Sequence, residues 1–447
     1  MAAFRVAFGL IVCVGAIRFL LSGWVEAYYV KPSFFFTFDF APFVGVGSPG
    51  LMTAALIALA ALGLMVALGL FYRVSIVALV LVFTYLELTD VTNYLNHYYQ
   101  VALLGALLCF IPAHRAWSLD ALWFPRVSRA KVRAWMVWIL RFQVGVVYVF
   151  AALAKLNSDW LIHAQPLNIW LLARTETPLI GPALGSFEVA LAMSWLGFLH
   201  DLLIVPALLW RRTRAWAYGV LVVFHVGTGL LFNIGMFPYI MVLTTPVFFG
   251  PDWPRRAWAK LRRRLEPSTE PIGPTGGRVP ALGRIGVCAL ALWCLFQISV
   301  PARALFYSGP TNWHEQGMRF SWRVMVREKS GSVTYRVKTR NRKRERLVVP
   351  SKYLTARQER EFAGQPDLIL QLARHIEADF KARGHRDVEV RVDALVSWNG
   401  RPPRRLVDPD VDLTKVRVAL FSHADWILPA PTISPIRLKR GHTYVKR

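Results

Sequence analysis

The chain has 447 residues, 55% of them hydrophobic and 13% aromatic, with 18% charged and a mean hydropathy of +0.38. A soluble protein of this length would carry more charge, so the composition excludes an ordinary globular domain and points to a polytopic membrane protein. The formal net charge of +26 would suggest nucleic acid in a soluble chain. Here the positives fall mostly in loops between apolar runs and in the tail, where membrane topology and anionic lipid account for them.

The N-terminal run MAAFRVAFGLIVCVGAIRFLL resembles a signal peptide in its early arginine and apolar stretch. It lacks a convincing small-residue cleavage site and carries Arg18 late, so it reads as a retained first span. Apolar runs at about 4–22, 51–71, 74–89, 98–112, 135–154, 187–210, 215–233, 235–250 and 282–300 follow one another along the chain. They predict about eight to nine transmembrane helices, with the runs at 98–112 and 235–250 short enough for one to be re-entrant. With the N-terminus inside, the inner connections hold Arg73; Arg115, Arg126, Arg129, Lys131 and Arg133; Arg211, Arg212 and Arg214; and Arg255, Arg256, Lys260, Arg262, Arg263 and Arg264. The outer connections hold little beyond Lys31 and Arg174, so the positive-inside rule places the tail outside.

Residues 265–280 are rich in Pro, Gly, Ser and Thr and read as an inner-face linker before the last span. After Val300 the hydropathy falls. Residues 331–339 and 386–396 alternate apolar and polar at period two, as half-buried strands do. Residues 355–383 read as helix, interrupted near Gly364 and Pro366. The expected architecture is an α-helical polytopic membrane domain over 1–300 and an extracytoplasmic α+β domain over 301–447. The tail's basic surface suits either plain solvation or docking onto anionic lipid or an acidic substrate. Cys13, Cys109, Cys288 and Cys294 all lie in apolar runs, so no disulfide framework is expected in the tail. No C-x-x-C or histidine–cysteine cluster suggests a metal.

The most informative run is Leu140 to Trp160, LRFQVGVVYVFAALAKLNSDW. Lys155 ends a stretch long enough to cross the hydrocarbon core, with Asn157 and Asp159 just beyond. An ionisable group at membrane depth is a functional candidate by default. Charging an amine away from water costs free energy, so partial burial favours a neutral amine able to act as a base. The alternative is a lysine that snorkels to the headgroups and anchors the helix end.

Other polar residues gather on the same outer side. Asp90, Asn93, Tyr94 and His97 share one face if their segment is helical. Asn96 adjoins His97, and Asn233 leaves the seventh run on that side. A carboxylate, amides, an imidazole and an amine at one bilayer depth suit chemistry between a lipid-soluble substrate and a water-exposed one. Interfacial capping and an aromatic belt are the bland alternative. His200 and Asp201 in the sixth run read as buried interhelical hydrogen bonding. Arg141 and Gln143 read likewise, with neutralisation of an anionic head group the other use for Arg141. No phosphate loop, nucleophile elbow or H-E-x-x-H motif is present.

Several long segments resemble the vitamin K-dependent gamma-glutamyl carboxylase family, in its shorter bacterial form built around the so-called horizontally transferred transmembrane domain. They are ALGLFYRVS (67–75), NHYYQVALL (96–104), WSLDALW (117–123), LRFQVGVVYVFAALAKLNSDWL (140–161), the long stretch at 224–256, TNWHEQGMRFSWRVMV (311–326) and DPDVDL (408–413). The resemblance implies a membrane enzyme that oxygenates reduced vitamin K, as menaquinol or phylloquinol, with O2 and uses that energy to carboxylate glutamate with CO2. It carries the catalytic lysine onto Lys155, with Ala154 where the family has a second lysine. It carries the Asn-His pair onto Asn96 and His97, and the histidine of the Phe-His segment onto His225. Lys155 would deprotonate the hydroquinone, Asn96 and His97 would position its oxygens, and His225, Asn233 and Asp159 would help to hold it. Arg327 stands where the family often has histidine, and the chain stops short of the luminal extension of the animal enzymes.

The implied partners are membrane lipid, a hydroquinone and a glutamate-containing peptide or protein, without nucleic acid or metal. The implied location is the bacterial inner membrane, with the tail in the periplasm. Quinol epoxidation without carboxylation is one competing function. A non-enzymatic quinone-binding, lipid-binding or transport protein is another, although no internal repeat of the kind transporters show is found.

Overall fold

The structure, a computed structural model, describes residues 1–128, 132–250, 253–254, 256–259, 282–340, 344–417 and 422–437. The expected linker at 265–280 and several of the inner-loop cations, Arg129 and Lys131 among them, lie outside the described residues. Every apolar run of the sequence is found on a helix: α1 (Ala2–Leu21), α2 (Pro49–Leu68), α3 (Tyr72–Leu88), α4 (Asn96–Phe110), α5 (Ala134–Lys155), α6 (Phe187–Leu209), α7 (Arg214–Leu231), α8 (Phe237–Thr244) and α9 (Arg284–Ala302). Six of these, namely α1, α2, α5, α6, α7 and α9, are long and apolar enough to cross a membrane. The helices α3 and α4, at 17 and 15 residues, and the short α8 are below that length.

Local chemistry sets the helix ends. Ser48 caps α2 by accepting from the Leu51 amide, Pro49 fits the first turn, and Gly69 closes the helix at φ +65°. Asp120, from the WSLDALW segment, accepts from the amides of Phe71 and Tyr72 and so caps α3. Arg5 is buried and donates to the carbonyls of Ala67, Ala113, Ala116 and Trp117, which ties the same end of the bundle together. The helices α1 and α2 cross closely: a Cβ at Gly9 would lie 2.5 Å from the Ala67 nitrogen, and one at Gly63 would lie 2.7 Å from that of Cys13. Small residues at such a crossing let the two backbones touch.

The tail is built on a four-stranded antiparallel sheet in the order β2-β1-β3-β4, with β1 Lys329–Lys338, β2 Arg346–Val348, β3 Glu389–Trp398 and β4 Arg404–Arg405. Val333, Tyr335 and Val337 alternate inward on β1, opposite Val390, Val392, Ala394 and Val396 on β3. The helix breaks where the sequence predicts, into α10 (Ala356–Phe362) and α11 (Pro366–Ala382), because Pro366 has no amide to continue the ladder. Thr355 and Gln358 form a reciprocal cap at the start of α10. The apolar face of α11, from Leu368 to Phe380, covers the sheet.

Three connections from the membrane domain dock on this tail. Phe36, Phe38 and Ala41 after α1, and Val91 after α3, are part of the tail's own core. Gln371 pairs with both the amide and the carbonyl of Thr37. After α5, Trp170 donates to Glu328 at 2.6 Å. All three are connections that the arginine and lysine distribution puts outside, on the side it assigns to the tail.

Candidate functional site

Lys155 is the last residue of α5 and is only 5% exposed. Its Nζ donates to the carbonyl of Ala151, one turn back along its own helix, at 3.3 Å. The side chain thus folds inward, whereas a snorkelling lysine would extend out towards the headgroups. There it meets Asp201 Oδ2 at 2.7 Å. Asp201 lies 14 residues beyond Phe187, about 21 Å along α6 at 1.5 Å per residue, well inside the helix. The other carboxylate oxygen of Asp201 contacts His200 Nδ1 at 3.0 Å. Trp160 lies beside the ammonium, 5.2 Å from ring centre to Nζ.

An aromatic chain runs on from this pair. His200 stacks on Phe224 at 3.8 Å and is 5.8 Å from Tyr148. The Tyr148 hydroxyl meets His225 Nε2 at 2.9 Å. Phe237 follows, 5.6 Å from His225 and 6.1 Å from His97. The chain therefore links α5, α6 and α7 to the start of α4. Several polar atoms along it are buried with no partner among the described residues: His200 Nε2, His225 Nδ1 and His97 Nε2. Buried polar atoms are normally hydrogen-bonded, so three unpaired ones along one chain of side chains suit a bound polar ligand.

Asn96 and Asn233 line a cavity of about 640 Å³ between the membrane domain and the tail. Asn96 Oδ1 accepts from the Tyr94 hydroxyl, and Asn233 Oδ1 from Arg174 at 3.4 Å. Four arginines (Arg174, Arg319, Arg323, Arg327) and two glutamates (Glu315, Glu361) line the same cavity. Glu315 is occupied by Arg327 and Lys329, and Arg319 by Asp367. Burial pushes the Lys329 ammonium down to about 8, against the pull of Glu315. Arg174 and Arg323 bond amide oxygens and have no carboxylate partner among the described residues, which leaves positive charge facing the cavity. Val326 and Met318 from its wall pack on Ala154 and Trp160, next to Lys155.

The structure separates some residues that the sequence reading grouped. Asp90, Asn93, Tyr94 and His97 do not share a helical face. Asp90 accepts from the Thr92 amide and caps a short 3₁₀ turn over Val91–Asn93, the chain is extended at Tyr94 and Leu95, and α4 starts only at Asn96. The physical reason is the cap: an Asp side chain bonded to the backbone two residues on competes with the helix. Asp90 instead faces Gln358 and Arg357 in the tail. Asp159 sits apart from the other candidates, in a buried bidentate pair with Arg401 at 2.8 and 2.6 Å and a bond from Asn399 at 2.9 Å. Arg141 donates to the carbonyls of Val247, Phe248 and Phe249, a structural use. Asp201 makes the interhelical bond expected of it, but its partner is the candidate base. Its ionisable character at membrane depth was the only signal for that role in the sequence.

Two family models match the chain. The HTTM domain covers residues 1–253, and the vitamin K-dependent gamma-carboxylase lumenal domain covers residues 283–432. The chain belongs to the vitamin K-dependent gamma-carboxylase family. It is an integral membrane protein of the gamma-carboxylase type, with a helical membrane domain followed by an α+β lumenal domain. No solved structure matches it. The docked connections after α1, α3 and α5 lie on the same side as the part of the chain that the lumenal-domain model matches.

Proposed function

We propose that this protein couples oxygenation of reduced vitamin K, hydroquinone to epoxide, to carboxylation of protein glutamate, with Lys155 as the base that starts the reaction. The observation that carries the proposal is the inward-folded, buried Lys155 held by Asp201 beside an arginine-lined cavity. Bound reduced vitamin K, oxygenated by O2, supplies a base strong enough to take a glutamate γ-proton, after which CO2 adds at that carbon.

The chain's own residues fit such a ligand. The unpartnered ring nitrogens of His97 and His225 can meet quinol oxygens, and the aromatic chain through Phe237 offers a flat apolar surface for the ring. Asn96 and Asn233 offer amides at the cavity wall. The 2.7 Å contact is short enough for a proton to pass from Nζ to the Asp201 carboxylate. With it on Asp201, the Lys155 amine is free to take the hydroquinone proton. Arg174 and Arg323 suit the carboxylate of a glutamate-bearing peptide entering from the lumenal side. For Asp159 we propose an indirect part, holding the Lys155 segment against the tail through Arg401. We further place the protein in a bacterial inner membrane, with residues 301–447 in the periplasm and the domain division near residue 300.

The test is purified protein in detergent with reduced quinone, O2, labelled CO2 and a glutamate-containing peptide. Epoxide and incorporated label are followed separately. Both products are expected. Epoxide without label would leave a quinol oxygenase, a reading that Arg327, in place of the family's frequent histidine, would then help to explain. Neither product would remove the enzymatic proposal.

A further inference from the structure

A second cavity, of about 200 Å³, opens between α1, α2, α3 and α4. It shares Thr92, Tyr94, Leu95 and Glu361 with the larger cavity, so the two adjoin. Away from that shared wall its lining is largely apolar, with Ile11, Leu56, Leu59, Phe83 and Ile240, and also holds Arg18, Glu87 and the tyrosines Tyr28, Tyr29 and Tyr98. Near the wall sits Asn93, whose side-chain Nδ2 and Oδ1 are both buried with no partner among the described residues. An amide buried with neither bond made is destabilising, so this one points to a ligand that donates or accepts there.

We propose that this cavity takes the isoprenoid side chain of the quinol, and that Asn93 hydrogen-bonds a quinol oxygen where the two cavities meet. The inference rests on the quinol reading above. At about 200 Å³ the space is below the ~300–1,000 Å³ of pockets that enclose a whole drug-sized ligand. It fits a segment of a hydrocarbon chain, with the ring left towards the larger cavity. A phospholipid acyl chain is the competing occupant. Its phosphate would call for cations at the cavity, and of the two arginines there Arg357 is paired with Asp90 at 3.7 Å and bonds Thr92, while Arg18 lies over Trp24 at 4.7 Å.

Gly15 lines the cavity, and a Cβ added there meets nothing within 4 Å. The first carbon of a Gly15→Leu side chain therefore enters open space at the cavity, and Gly15→Ala is a milder step in the same direction. The experiment measures binding of two oxidised quinones to full-length protein in detergent, without turnover. One is menaquinone with its long chain; the other is menadione, with the same ring and no chain. Losing a few buried methylenes at ~0.8 kcal/mol each should weaken menaquinone at least about tenfold in Gly15→Leu. Gly15→Ala should fall between, menadione should bind all three proteins alike, and Asn93→Leu should weaken both quinones.

Unchanged menaquinone affinity in Gly15→Leu would overturn the proposal. So would equal weakening of both quinones by that substitution, or a stoichiometric phospholipid that menaquinone does not displace. Wild-type protein that binds both quinones with this pattern but forms no epoxide would sink the functional reading and leave the chain site standing. Protein that binds neither quinone would sink both.

Discussion

The Lys155 amine and the Asp201 carboxylate meet at 2.7 Å between α5 and α6, and the amine also donates to the carbonyl of Ala151, four residues back along α5. Because α5 ends at Lys155 while α6 still has eight residues to run past Asp201, the end of one helix faces the interior of the other. The backward lean of helical side chains does the rest.

Lys155→Ala removes the proposed base, and Lys155→Arg keeps a cation that cannot give up its proton. Both should lower quinol epoxidation by at least the roughly 10²-fold typical of a positioned base, in protein that still inserts and folds. Near-normal epoxidation by the arginine variant would return Lys155 to the status of an anchor.

Asp201→Asn keeps the size of the side chain and can still accept a hydrogen bond, but it cannot take a proton from Nζ. Epoxidation should drop by about tenfold or more through kcat, with KM for the quinol little changed, and Asp201→Glu should recover part of the loss. A change confined to KM would mean that Asp201 serves quinol binding and not the proton.

Removing one partner of a buried ion pair leaves the other charge uncompensated, at a cost of about 3–5 kcal/mol. Arg401→Met should therefore loosen the tail from the segment after α5, measured as faster protease cleavage and a lower unfolding temperature. Adding Asp159→Asn should restore much of the loss, because the stranded carboxylate is gone. No rescue by the double variant would show that Arg401 acts mainly through its stacking on Trp398, 4.1 Å away.

Burial pushes the His314 imidazole down to about 4 from its usual 6.5. Between those values the unfolded chain binds a proton that the folded tail does not, so stability is full above pH 6.5 and declines as pH falls towards 4. Thermal unfolding at several pH values, wild type against His314→Asn, should show a steeper acid loss in the wild type. Parallel curves would mean that His314 titrates normally in the fold.

Reporter fusions after Arg264 and after Tyr307 should report opposite compartments, because the loop cations lie almost entirely on one side. Two cytoplasmic signals would overturn the orientation.

What the sequence determined by itself is whatever depends on short-range pattern. Apolar runs located the membrane helices, period-two alternation located β1 and β3, and Pro366 located the break between α10 and α11. The asymmetry of arginine and lysine predicts an orientation, which the reporter fusions test. These features follow from hydration and backbone geometry over a few residues, which any window of the chain displays. The tertiary structure decided who faces whom. Asp201 is 46 residues from Lys155 and Arg401 is 242 from Asp159, and neither pairing has a local signature. Each depends on the rotation and axial offset of packed elements, where shifting one helix by a residue turns a side chain by about 100°. For the same reason the run from Asp90 to His97 looked like one polar face, until the Asp90 cap and the extended Tyr94 and Leu95 turned its residues in different directions.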